Sequence, residues 1–413
     1  VNPEIVVIGA GAAGIGAAKR LAAAGIKPLV LEALPRPGGR AFTVHAAGHP
    51  LDLGCGYLHS ADRNPWTEIA EQAGVTIERN NPAWDRQYKN LGAAAGEWRK
   101  AGEAFERWSE RLITDPPASD IAADALESGS PYNAYLQAMS GYISGDELER
   151  ISVRDYSTYD QASTEFNWRL PAGYGTLITA NLPAAAELRL DTPVEKLTLD
   201  GKTLALHTVA GTLRPRAAII TVSTNILAGN SIAWPAALDP WRDAATRLPL
   251  GADEKLFFEI IGDSPFAPET HVLGDLYDPT TGSFYLRPFG RPIVEVFLGG
   301  AGARALAQSG QDAAFAQALD QLAKLFGNAI RSSLRPLTAS NWTNTPSIRG
   351  AYSHALPGNA QAREILAAPY DDRIFFAGEA THPFDFSTAH GAYLSGRRAA
   401  EEAMAALHWP SAN

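Results

Sequence analysis

Gly9, Gly11 and Gly14 follow the apolar run Ile5-Val6-Val7-Ile8 at the spacing G-x-G-x-x-G. The first glycine allows a tight turn, the second lets backbone approach a pyrophosphate, and the third lets a helix pack close to the strand. Glu32 ends a second apolar run about 20 residues on, where a carboxylate can accept both ribose hydroxyls of an adenosine. Gly38 and Gly39 let the chain pass under a pyrophosphate, and the Arg40 guanidinium can bridge phosphate oxygens through two parallel bonds. A glycine-rich turn alone would be weak, but here strand, helix and acid stand in the right order. NAD and FAD both fit the first signal; Gly38-Gly39-Arg40 tips it towards FAD.

Other candidates are less self-evident. Lys255 stands beside the apolar run of a strand, where burial costs desolvation. The local pattern alone favours an edge-strand lysine facing solvent. His59, taken alone, reads as structural. Cys55 is the single cysteine, which rules out an intrachain disulfide framework and a multi-cysteine zinc site. No His, Cys, Asp or Glu group has ligand spacing, so no metal is expected.

The elements that must position these residues alternate along the chain. Residues 5–8 have the β-branched content of a strand buried on both faces. Residues 12–24 form an Ala-rich helix whose N-terminus offers free N–H groups to phosphate. Asn64-Pro65 starts a helix over 66–73, closed by Gly74. Trp98, Ala101, Phe105, Trp108 and Leu112 share one helical face, the ordinary packing stripe of an amphipathic helix. Residues 132–143 form another helix ended by Gly145, and Asp146 is placed to cap a third. Residues 189–199 and 203–208 pair around Asp200-Gly201, and 217–222 is a short buried strand. From Lys255 the chain is strand-rich (256–261, 271–276, 283–286 and 293–298), as the floor of a substrate cavity would be. An amphipathic helix over 311–326, a buried strand over 373–379 and a helix from His390 complete the pattern. The expected fold class is α/β. A discontinuous Rossmann-type FAD-binding domain takes residues 1–80, 186–250 and 345–413. A mixed-sheet plus helical substrate domain takes 81–185 and 251–344.

At 413 residues the chain exceeds one ordinary core, in keeping with two domains. Its formal charge of −10 argues against nucleic acid as a partner and is compatible with cationic substrates. No apolar run reaches the ~18 residues of a membrane span. The cytoplasm is the default compartment, as a monomer or homodimer; the absence of an initial Met leaves a removed leader open.

Together these blocks resemble the flavin-containing amine oxidase family: monoamine oxidases, polyamine and spermine oxidases, and flavin histone lysine demethylases. The likeness is densest over residues 5–40, 51–65, 217–258, 342–358 and 373–399. Gly378-Glu379-Ala380-Thr381-His382, followed by Ser387-Thr388-Ala389-His390-Gly391-Ala392, is closest to the ending of polyamine and spermine oxidases. The resemblance implies that Gly378 and Glu379 hold the ribityl or pyrophosphate part of the flavin. It implies that Val194 meets the adenine through its backbone, and that the helix from His390 aims its positive end at the pyrimidine ring. It makes Lys255 the residue that holds a water against flavin N5. Trp342 and Tyr352 flank the flavin, with Tyr352 as one wall of an amine cage. Thr388 stands where monoamine oxidases have the opposite tyrosine, and His59 matches a substrate-contacting histidine. Ser223 replaces a family proline.

No thiol lies near Thr388, so FAD is expected to be noncovalent. The implied activity is oxidation of a primary or secondary amine, polyamines included, to an imine, with O2 as acceptor and H2O2 released. Two rivals remain: an FAD-dependent desaturase or dehydrogenase of an apolar substrate, and a non-catalytic flavoprotein scaffold. No carboxylate pair is assignable from sequence to a second ammonium group.

Overall fold

The computed structural model describes residues 3–84 and 87–409. Its nucleotide-binding half is built on a five-stranded parallel sheet. The order is Ile374–Phe376, Ala217–Ile220, Ile5–Ile8, Leu29–Leu31 and Glu187–Arg189. Parallel strands of this kind need cover on both faces. One face is covered by the Ala12–Ala23 and Ala389–Ala406 helices. The other is covered by the Val194–Asp200/Thr203–Thr208 hairpin, which gains a third strand at Gly211–Leu213, and by the helices over 224–246. The two long helices meet backbone to backbone, since a Cβ on Gly396 would fall 1.9 Å from Ala13 O. Small residues there bring both helix N-termini to the carboxyl ends of the strands, where such sheets bind ligands.

The second half is a five-stranded antiparallel sheet ordered Thr270–Leu273, Ser283–Leu286, Ile293–Gly299, Asp253–Ile260 and Leu334–Ala339. Strand alternation divides the Asp253–Ile260 strand. Leu256, Phe258 and Ile260 pack under the Gly300–Ser309 and Gln311–Phe326 helices. Lys255 and Phe257 face the other way, where Phe257 joins Leu51, Leu53 and Trp342. The helices Glu97–Thr114, Asn133–Ser144 and Val153–Ala162 form a lobe beside this sheet around Trp108, Leu112 and Leu148.

Several local expectations change. The Leu334–Ala339 strand and the Gly300–Ser309 helix were not anticipated, nor was the Thr43–Ala46/His49–Asp52 hairpin. Asp146 caps no helix; it receives Arg150, Arg304 and His354. The Val153–Ala162 helix is capped instead by Ser152, whose hydroxyl accepts from Asp155 N. The Tyr174–Ala180 helix, lying within 81–185, packs with Ile15 and Trp66 of the nucleotide-binding half. Among the described residues no helix is long and apolar enough to cross a membrane.

Candidate functional site

A cavity of about 990 Å³ runs from the glycine turn of the first sheet to the open face of the second. At its nucleotide end the Ala12–Ala23 helix starts at Gly11 with no side-chain cap, so its first N–H groups are left for a ligand. Gly14 is forced by packing, because a Cβ there would lie 1.9 Å from Gly9 O. Gly11 and Gly39 bring two backbone loops into contact, the Gly11 Cα lying 3.3 Å from where a Gly39 Cβ would sit. A side chain at either would fill the floor between them.

Glu32 is buried on the same wall, accepting from Ala10 N at 2.7 Å and Leu34 N at 2.8 Å. Burial raises its proton affinity, opposed by those two N–H groups. Each carboxylate oxygen keeps a further lone pair, which suits ribose hydroxyls. Val194 lines this end as well. Uncapped N–H groups, a side-chain-free floor and a cavity-facing acid fit the pyrophosphate and ribose of FAD.

Arg40 has protein partners that the sequence reading did not foresee. Its guanidinium donates to Ala351 O and, at 3.2 Å, to Glu379 Oε1. Glu379 also accepts from the Ser353 backbone and hydroxyl and from Ser387 N. Burial pushes the Glu379 carboxyl up, but Arg40, Ser353 and Arg363 outweigh it and hold its affinity below the usual range. Glu379 therefore stays ionised and ties three loops together on the cavity wall beside Gly378. Arg40 lines the cavity too, neutralising that carboxylate where an anionic ligand would pass. Ser223 donates to Ile348 O at 2.6 Å, a bond that a proline could not make.

The reacting end is built from both halves. Lys255 is 7% exposed; its Nζ donates to Glu295 Oε1 at 2.8 Å and to Asp52 O at 3.2 Å. It does not face bulk water. Glu295 lies on the neighbouring strand, directly opposite Phe257, and so diagonal to Lys255 on one sheet face. Two of the three ammonium donors are used, leaving one for the cavity. Trp342 is fixed by its ring N–H to Leu53 O at 2.9 Å. Its backbone N–H, with that of Thr343, is held by the buried Glu254 carboxylate on the strand's opposite face.

Tyr352 lines the cavity with its hydroxyl donating to Tyr142 O at 2.6 Å. Burial, reinforced by nearby Asp253, holds that phenol protonated. His59 is on the wall, its Nδ1 2.7 Å from Asn167 Oδ1, grouped with the rings of Tyr57 and Trp84. Burial lowers it to about 4, so it is neutral near pH 7.

Thr388 also lines the cavity, but its hydroxyl is engaged. It donates to Asp385 O and accepts from Gly391 N as the cap of the C-terminal helix. What it can offer a ligand is its methyl surface. Cys55, far from the C-terminal segments in sequence, lines the same cavity. Burial pushes its thiol up to about 12, the reverse of an activated thiolate. Sequence reasoning missed Glu295, Asp253 and Tyr57, all of which line the cavity.

A family model described as flavin containing amine oxidoreductase matches residues 99–404, and one for an NAD(P)-binding Rossmann-like domain matches 7–73. The chain belongs to the flavin-containing amine oxidoreductase family. Among its relatives, Polyamine oxidase 2 of Arabidopsis thaliana is 26% identical over 97% of this chain and 88% of the relative. Polyamine oxidase 3 of Oryza sativa subsp. japonica is 28% identical over 97% and 89%. Lysine-specific histone demethylase 2 of Homo sapiens is 25% identical over 98% of this chain and 54% of that protein. As a flavin-containing amine oxidoreductase the chain is an enzyme that uses FAD, and the expected α/β Rossmann-type fold is borne out.

Proposed function

We propose that the cavity oxidises a primary or secondary amine, polyamines included, to an imine, with O2 as electron acceptor and H2O2 as product. The observation that carries this reading is a buried ammonium, Lys255, held by Glu295 in a cavity that Tyr352 also lines. Bound FAD supplies the two-electron acceptor. The ring of Tyr352 is the face over which an amine is guided, through its quadrupole. Lys255 uses its remaining N–H to hold a water at the reacting centre. The amine gives up one proton and, from its α-carbon, one hydride to the bound acceptor. Water then adds to the imine, which breaks into a carbonyl compound and ammonia or, from a secondary amine, the shorter amine. Trp342 packs as the second aromatic wall, His59 contacts substrate as a neutral ring, and Thr388 closes the far side with its methyl group.

In this reading Gly9, Gly11, Gly14, Gly39, Glu32 and Val194 hold the adenosine and pyrophosphate. Arg40, Gly378 and Glu379 border the rest of the cofactor, and attachment is noncovalent. Residues 1–80, 186–250 and 345–413 form the FAD-binding domain, and 81–185 with 251–344 the substrate domain. The test is a panel of primary, secondary and polyamines mixed with FAD-loaded protein under argon, followed by air. Flavin bleaching by amines and stoichiometric peroxide on re-oxidation are expected. Bleaching by an apolar polyene but by no amine would refute the reading.

A further inference from the structure

Asp253 lies two residues before Lys255, so the two-residue period of the strand turns both side chains to the cavity, about 7 Å apart along the backbone. It is 3% exposed, lines the cavity, and neither carboxyl oxygen has a hydrogen-bond partner. Its Oδ2 is packed against Gly145, where any side chain would collide with it, since a Cβ there would fall 2.5 Å away. The Tyr352 hydroxyl lies within hydrogen-bonding range of it and partly offsets its burial. The one proton of that hydroxyl goes to Tyr142 O at 2.6 Å, so among the described residues no cation or charged donor reaches the carboxyl. Among the described residues Asp253 forms no ion pair. Arg304, the cation that acts on it, is held by Asp146 and Glu147, while Glu254 and Asp146 add like charge.

A buried carboxyl with no donor is costly and uncommon in a native fold. Burial accordingly holds its proton affinity well above the usual range. Such a group is explained when a ligand brings the missing partner. The nitrogen being oxidised must be uncharged when its α-hydrogen leaves, and it sits near the Lys255 ammonium. A carboxyl displaced along the strand therefore suits a different nitrogen of the same substrate.

We propose that Asp253 is a specificity-determining residue that pairs with a second ammonium group of the substrate, selecting diamines and longer polyamines over monoamines. This assignment rests on the amine oxidase reading above. The aromatic ring of Tyr142, on the same wall, supplies a π face for that cation.

The test compares putrescine with n-butylamine, the same carbon chain without its second amine. Anaerobic bleaching titrations are run on FAD-loaded wild type and Asp253→Asn. The diamine-to-monoamine preference in apparent Kd is expected to fall about tenfold or more. The loss should fall on binding more than on the limiting reduction rate. The thermal midpoint of Asp253→Asn should hold or rise, because an unsatisfied buried acid is gone. An unchanged preference, or equal loss for both amines, overturns the proposal. So does failure of both Asp253→Asn and Asp253→Ser to bind FAD, which would make the residue structural. If wild-type flavin is bleached by neither amine, the amine oxidase reading itself fails and this assignment falls with it.

Discussion

Replacing Lys255 by Met removes the ammonium but leaves the Glu295 carboxylate against the same wall. The pair is 2.8 Å long, with side chains 9% and 16% exposed. Breaking a buried pair by removing one partner costs about 3–5 kcal/mol. Cavity access places this pair at the low end, about 3 kcal/mol for Lys255→Met. Glu295→Ala should cost about the same, since Lys255 would keep only the Asp52 carbonyl. The double variant removes both charges and should cost about as much as either single change, a coupling of about 3 kcal/mol. Urea unfolding of the FAD-loaded proteins, followed by flavin fluorescence, completes the cycle. Stopped-flow reduction and re-oxidation measure the chemistry. Lys255→Met should keep its flavin and slow turnover about 100-fold, the scale of losing a positioned proton-transfer group. Additive losses of stability would mean that the two charges do not face each other. Turnover within twofold of wild type would remove Lys255 from the mechanism.

Tyr352→Phe keeps the ring and loses the bond to Tyr142 O, a stability cost of about 1 kcal/mol; Tyr352→Ala should weaken amine binding about tenfold or more, and equal amine affinities in the two variants would discount the ring. His59 and His382 are both held at about 4 by burial, against an ordinary 6.5. The unfolded chain therefore takes up their protons first, and their contribution, full above pH 6.5, is lost as pH falls towards 4. Thermal midpoints should drop across that window, and His59→Asn/His382→Asn should flatten the drop; an unchanged slope would contradict their neutral burial. Cys55, pushed up to about 12, should alkylate with iodoacetamide at pH 8 only after unfolding. Acid precipitation should release all the flavin to the supernatant, and flavin retained on the precipitated chain would show a covalent link.

The nucleotide end was legible because its signal is local. Gly9, Gly11, Gly14 and Glu32 act within one strand-helix-strand unit, where spacing alone sets position. The reacting end depends on pairings that periodicity does not carry. Lys255 looked like a solvent-facing edge residue, since its burial comes from a partner on another strand and from the Asp52 carbonyl. One signal was available: Glu295 is a lone acid within Ile293-Val294-Glu295-Val296-Phe297-Leu298, as Lys255 is a lone base beside an apolar run. Two such isolated opposite charges on neighbouring strands are better placed together than separately. Thr388 shows the opposite failure, because the family resemblance implied its place beside the cofactor but not the helix cap that occupies its hydroxyl. Arg40 likewise has a carboxylate and a carbonyl as its protein partners, which its proximity to the glycine pair did not reveal.

The charges at the reacting end also bear on which substrate the cavity admits. Lys255 and Glu295 cancel each other, and Arg40 offsets Glu379. Asp253 is left without a cation, kept protonated by burial, in a cavity that the rings of Tyr57, Tyr142 and Tyr352 also line. A cation entering this space gains a carboxyl partner and π faces while losing its water. An apolar polyene would gain neither, and it would seal Asp253 from solvent without supplying a donor. If Asp253 takes an ammonium as proposed above, that preference has a source in the cavity lining as well as in the likeness to polyamine oxidases. Electrostatics and kinship can then be separated: Asp253→Leu should make the cavity more tolerant of apolar ligands while leaving Lys255, Tyr352 and the flavin cradle in place.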